Sequence, residues 1–147
     1  MNKLVGIALL AGLCGGLAEI AWIALYSAAT ATSAAEVARQ VAATVYPTAS
    51  GTYWAPWAGV GIHIALSLTF GLAFVFSLWG LSSGRPTKGR IWTNAVGTLV
   101  AVWAFNFFLI LPALGSGFAT LLPYGATLLS KTLFGVAMAW TLQKTAV

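Results

Sequence analysis

Glu19, His63, Asn106 and Lys131 each interrupt a long apolar stretch, and they are the residues best equipped to do chemistry in this chain. Glu19 and Lys131 carry opposite charges near the middle of the first and last of these stretches. A lone charge at the centre of a bilayer costs roughly 2.5–3.5 kcal/mol on insertion scales. Two opposite charges at similar depth are therefore expected to pair inside a helix bundle. His63 and Asn106 can supply hydrogen bonds beside them. If the four faces converge, they form one internal polar cluster displaced toward one end of the bundle. Such a cluster can act as a lock that fixes helix register. It can also mark a proton or ion path. A third possibility is pairing with groups on another subunit.

Other chemistry is hard to assemble. There is one histidine, one cysteine and no aspartate. A zinc site needs several nitrogen, sulfur or oxygen ligands, and His63, Glu19 and Cys14 make a poor set. A haem held by two histidines is excluded within one chain. A Ser-His-Glu set would have to use Glu19 at a different depth from His63, with no nucleophile elbow to support it. The loop from Gly84 to Gly89 lacks phosphate-loop spacing. The expectation is a non-enzyme without metal or cofactor.

Composition gives the setting for these residues. The chain is 60% hydrophobic and only 6% charged, whereas soluble domains carry about a quarter charged residues. Lipid is therefore the expected solvent, and residues 1–147 read as a single transmembrane domain. The net charge of +5 does not gather on one face. The cations sit in a short loop and near the ends, so nucleic acid is not an expected partner. Cys14 stands alone and provides no disulfide framework.

Four spans are expected, at about residues 4–30, 57–81, 91–111 and 121–142. Each reaches the ~20 residues that cross ~30 Å of hydrocarbon. Backbone groups in lipid must bond internally, which makes the spans helices. The short alternating segments of a β-barrel do not occur. No span is broken by proline at its midpoint. The first stretch follows Lys3 like a secretory signal, but it runs too long for a signal core, and Leu13 is bulky where a lipoprotein box before Cys14 needs a small residue. A retained first helix is expected.

Between the first two spans, Ser33 and Glu36 have capping-box spacing. Val37, Val41 and Val45 then recur every four residues, with Glu36, Arg39, Gln40 and Thr44 on another side. This pattern predicts a short amphipathic helix over about 33–45, lying flat at the membrane interface. Pro47 ends it. Tyr53, Trp54 and Trp57 follow, as an aromatic belt at the headgroup boundary would. The expected fold is all-α: a four-helix transmembrane bundle plus this interfacial helix.

Small residues lie on faces where helices would pack. Gly12 and Gly16 form a GxxxG pair in the first span. Gly59, His63, Ser67 and Gly71 make a stripe in the second. Thr120, Tyr124, Thr127, Lys131 and Gly135 share a face in the fourth. Small side chains let helix backbones approach closely in membranes. The third span is bulky, and Trp103, Phe107 and Phe108 are its candidate partner face.

Residues 63–71, His-Ile-Ala-Leu-Ser-Leu-Thr-Phe-Gly, together with Asn106…Pro112 and Leu133-Phe134-Gly135, resemble the YagU-like group of small inner-membrane proteins. The likeness covers about half of the chain. It implies a bacterial inner-membrane helical bundle and carries no catalytic residue to these positions.

With no cofactor set and no nucleophile, the expected function is a non-catalytic accessory subunit of a larger membrane complex, such as a respiratory or photosynthetic one. Its partners would be the lipid bilayer and other membrane subunits. The alternative is a small proton- or ion-linked transporter or channel, working as a homo-oligomer around Glu19 and Lys131. Lys3, Lys144 and the loop with Arg85, Lys88 and Arg90 place both termini in the cytoplasm by the positive-inside rule. On a Cys14→Ser background, Thr48→Cys should therefore react with an impermeant thiol reagent in intact cells, and Lys88→Cys should not. The reverse pattern would invert the topology.

Overall fold

Apolar runs without internal proline become long helices, and punctuation in the sequence sets where they stop. The computed structural model describes residues 2–82 and 85–145, so Ser83 and Gly84 of the cationic loop lie outside the described residues. No strand occurs among the described residues. Helix α1 spans Asn2–Ala29, α2 Ala34–Val45 and α3 Ala55–Gly80. Helix α4 runs Lys88–Ala113 and α5 runs Tyr124–Thr145. A 3-10 turn at Pro47–Gly51 and one helical turn at Phe118–Leu121 complete the connections. Three segments, Lys3–Ala29, Ala55–Gly80 and Lys88–Ala113, are long and apolar enough to cross a membrane.

The boundaries have local causes. Ser33 Oγ accepts from the Glu36 N–H at 3.4 Å and caps α2. Thr87 Oγ1 accepts from the Arg90 N–H at 3.3 Å and caps α4. Pro56 sits in the first turn of α3, where its missing N–H costs nothing. Helix α5 begins at Tyr124 rather than 121, because Leu122 is extended (φ −125, ψ 144) ahead of Pro123, whose ring disfavours helix at the preceding residue. Thr120 therefore falls in the separate turn, off the helix that carries Lys131.

Cross-helix contacts give the arrangement. Gly12 meets Ser67 and Gly71, and Gly16 meets Ser67 and His63, so α1 and α3 run antiparallel. Trp22 meets Ala126 and Glu19 meets Lys131, so α1 and α5 are antiparallel too. Gly135 lies on Val96, and Trp92 Nε1 donates to Gln143 Oε1 at 2.8 Å, which sets α4 against α5. The four long helices thus pack in the order α3, α1, α5, α4, and the two outer members share no comparable interface. Lys3, Lys88, Arg90 and Lys144 gather at one end. There an apolar core forms from residues that include Val75, Leu78, Ile91, Met138 and Leu142.

At the opposite end α2 crosses over the bundle. Gly59 admits it: a Cβ there would strike the Ala38 carbonyl. The Thr44 and Ser116 hydroxyls, 2.7 Å apart, tie the far side of α2 to the connection before α5. Helix α2 is amphipathic as expected, but its apolar side turns into the bundle and Val37 is buried. On its polar side Glu36 bonds Gln40 at 2.9 Å and Arg39 at 2.5 Å. Those partners, Gln40 foremost, hold the Glu36 carboxyl below the usual carboxylate range.

The expected partner face on α4 needs correcting. Phe107 is only 2% exposed. Trp103 Nε1 donates to Thr127 Oγ1 at 2.9 Å, and its ring stacks on Phe107 with centroids 5.8 Å apart. Both rings turn toward α5 because Thr127 and Tyr124 offer a polar and an aromatic partner there. Only Phe108, 58% exposed, remains outward.

The close α1–α3 crossing is testable against an open glycine. A Cβ on Gly71 would meet the Ala8 carbonyl and the Gly12 backbone, whereas one on Gly97 meets nothing. Both substitutions to Ala improve helix propensity equally. Gly71→Ala should nevertheless lower stability by about 1–3 kcal/mol, as overpacking does, while Gly97→Ala should leave the thermal midpoint unchanged or slightly raised. Equal midpoints would show that the crossing relaxes freely.

Candidate functional site: a polar cleft beneath α2

Because α3 and α4 stand apart, a cleft remains between them at the α2 end. It has a volume of about 330 Å³. Its walls come from Ile20 and Ile23 of α1, Ile62 and Leu66 of α3, and Phe107 and Leu111 of α4. Val37, Ala38 and Val41 of α2 form its roof. Glu19, His63, Asn106, Ser130 and Lys131 supply its polar lining.

The structure brings the four polar residues singled out from the sequence to this one cleft. Lys131 Nζ lies 2.7 Å from Glu19 Oε1 and donates to Oε2 at 2.8 Å, so the ammonium grips both carboxylate oxygens. The two side chains are 13% and 21% exposed, Glu19 the less. His63 Nε2 is 3.9 Å from Glu19 Oε2, too far for a hydrogen bond, and 3.2 Å from the Gly16 carbonyl. Donation from Nε2 to that carbonyl fixes the ring against α1. Ser67 Oγ donates to the His63 carbonyl at 2.7 Å.

Asn106 reaches the cleft through a break in regular winding. Residues Asn106–Ile110 form a π-helical turn in which the Leu111 N–H donates to the Asn106 carbonyl. Pro112 follows. Its ring clashes with the carbonyl four residues before it and provides no N–H, and the wider turn relieves both problems. Such turns recur at functional sites. The absence of a mid-span proline in the sequence concealed this one, since the proline lies beyond the turn it causes.

The small residues divide by neighbour. Gly12, Gly16, Ser67 and Gly71 join α1 to α3, Gly59 receives α2, and Gly135 joins α5 to α4. The stripe on α3 therefore serves two partners. Two further residues belong to the site. Trp22 Nε1 donates to the Ala126 carbonyl at 2.9 Å, pinning α1 to α5 next to the ion pair. It lies three residues past Glu19, on the same helix face, which was the available signal. Ser130 Oγ is buried against the Glu19 carboxylate, short of a well-formed hydrogen bond. Nothing in its sequence context distinguishes it apart from its position beside Lys131.

No protein-family model, curated protein or solved structure matches this chain. The site's chemistry must be read from its own geometry. Among the described residues no three His, Cys, Asp or Glu side chains converge. The lining offers hydrogen-bond donors and acceptors around a charge-neutral pair.

The pair invites a mutant cycle. Glu19→Gln or Lys131→Met alone leaves one buried charge without its partner, a loss of about 3–5 kcal/mol. The double substitution should recover much of the lost folded protein in detergent, measured as monodisperse yield and thermal midpoint. Additive losses in the double variant would mean that the two charges stabilise the fold independently.

Proposed function

We propose that this chain is a multi-pass protein of the bacterial inner membrane, with four spans and both termini in the cytoplasm, that binds a small amphiphilic molecule without transforming it. In this reading α5 is the fourth span. At 22 residues it is long enough to cross, and its polar side chains are served by neighbours on both sides. The clustering of Lys3, Lys88, Arg90 and Lys144 supports the orientation. The observation that carries the function is the cleft itself. It joins apolar walls to a few convergent polar groups, the usual character of a small-molecule site.

The expected role as an accessory subunit of a larger complex drew on the aromatic third span, with Trp103, Phe107 and Phe108, and on the outer amphipathic helix as a docking surface. With Trp103 and Phe107 turned toward α5, the aromatic part of that support keeps only Phe108. Proton- or ion-linked transport, working as a homo-oligomer, is the alternative. It is favoured by one feature: the cleft ends on ionisable side chains.

Native mass spectrometry of protein purified directly from its membranes tests the binding reading. The wild type should carry an adduct of small-molecule mass, below about 1 kDa for a cleft this size. Val41→Trp, which places a bulky ring in the roof, should fold equally well and lose it. A wild type that emerges bare from several mild detergents would overturn the proposal.

A further inference from the structure

We infer that the cleft takes the uncharged, carbonyl-bearing head of a lipophilic molecule, which enters sideways between α3 and α4. This rests on the binding function proposed above and names its ligand class.

Charge excludes most heads first. Lys131 holds both oxygens of Glu19, at 2.7 and 2.8 Å, so the floor is formally neutral. A carboxylate or ammonium head would bring an uncompensated charge among apolar walls, which is expensive in low dielectric. A neutral head avoids that cost.

Hydrogen-bond capacity then selects among neutral heads. An ammonium has three N–H groups, and the Glu19 contacts occupy two. Asn106 presents a carboxamide to the same space, with no side-chain hydrogen bond of its own among the described residues. The third Lys131 N–H and the Asn106 amide N–H groups are unspent donors, and a carbonyl oxygen can accept two of them. A bare hydrocarbon would leave those donors without a partner in low dielectric.

Access follows from helix order. The packing sequence α3, α1, α5, α4 leaves the two outer helices unjoined at the α2 end. Leu66, at 61% exposure, stands on the α3 side of this gap and also lines the cleft. Roofed by α2 and floored by the ion pair, the cleft opens laterally, toward the acyl chains of a surrounding bilayer. Its ~330 Å³ is at the small end for ligand pockets, so it holds a head and the first carbons while a longer tail stays in lipid.

The test uses the full chain in phosphatidylcholine nanodiscs and four probes of matched length: 2-undecanone, decanoate, decylammonium and undecane. Thermal unfolding is followed as each is titrated, and Val41→Trp controls for effects on the bilayer. The ketone should raise the wild-type midpoint most and leave Val41→Trp unmoved. Asn106→Leu, which removes one of those donors, should weaken the ketone about five- to tenfold, the worth of one hydrogen bond. Stronger stabilisation by decanoate or decylammonium would overturn the neutral head while leaving the cleft a binding site. Undecane matching the ketone would overturn the role of the polar floor. If none of the four acts on a wild type that carries a native adduct, the ligand class is wrong and the binding reading survives.

Discussion

The grip of Lys131 on both oxygens of Glu19 is the interaction on which the arrangement at the cleft depends. It joins α1 to α5 at the level where α3 and α4 part. Trp22 reinforces the joint one turn away by reaching the Ala126 carbonyl. With those two helices fixed together, α3 is held by its glycine crossing on α1 and α4 by its tryptophans and by Gly135 on α5. A buried ion pair adds little net stability compared with well-packed apolar residues. Its contribution here is register: it decides which turn of α1 faces which turn of α5, and hence which side chains floor the cleft.

The helical class, the long apolar segments and the capping of α2 were legible because each rests on local rules of period and punctuation. Ser33 and Glu36 announce a helix start, and Pro123 marks the start of α5 once the preceding residue's restriction is considered. The convergence of Glu19, His63, Asn106 and Lys131 was legible for a different reason, since polar groups in apolar surroundings must find one another. What stayed hidden depends on three-dimensional neighbours. Trp103 and Phe107 sit four apart and look like an outward stripe, yet which way a bulky face turns depends on whether Thr127 and Tyr124 stand opposite. The apolar side of α2 could not be assigned to lipid or to the bundle without knowing that Gly59 leaves room for Ala38.

Helix α5 shows how burial and hydropathy trade places in a chain of this kind. It is long, yet it is not among the segments apolar enough to be recognised as spans. The reason is its position between α1 and α4. Thr127, Lys131 and Gln143 each bond a side chain from one of these neighbours. Helix α5 can carry polar groups because neighbours on both sides bond them, whereas α1, the other inner member of the row, bonds Glu19 to α5 and is otherwise as apolar as α3 and α4. The π-helical turn in α4 follows the same logic, since irregular backbone is tolerated where it lines a cavity.

The separation of the two charges along the chain has a consequence for biosynthesis. Glu19 and Lys131 lie 112 residues apart, in the first and the last long helix. The carboxyl is therefore made well before its partner. Throughout synthesis α1 must therefore wait with an unmatched polar group, and a chain that stops short of α5 never matches it. In such a fragment the carboxyl remains without its cation and open to another partner. The same contact that aligns the bundle thus separates chains that include α5 from those that lack it.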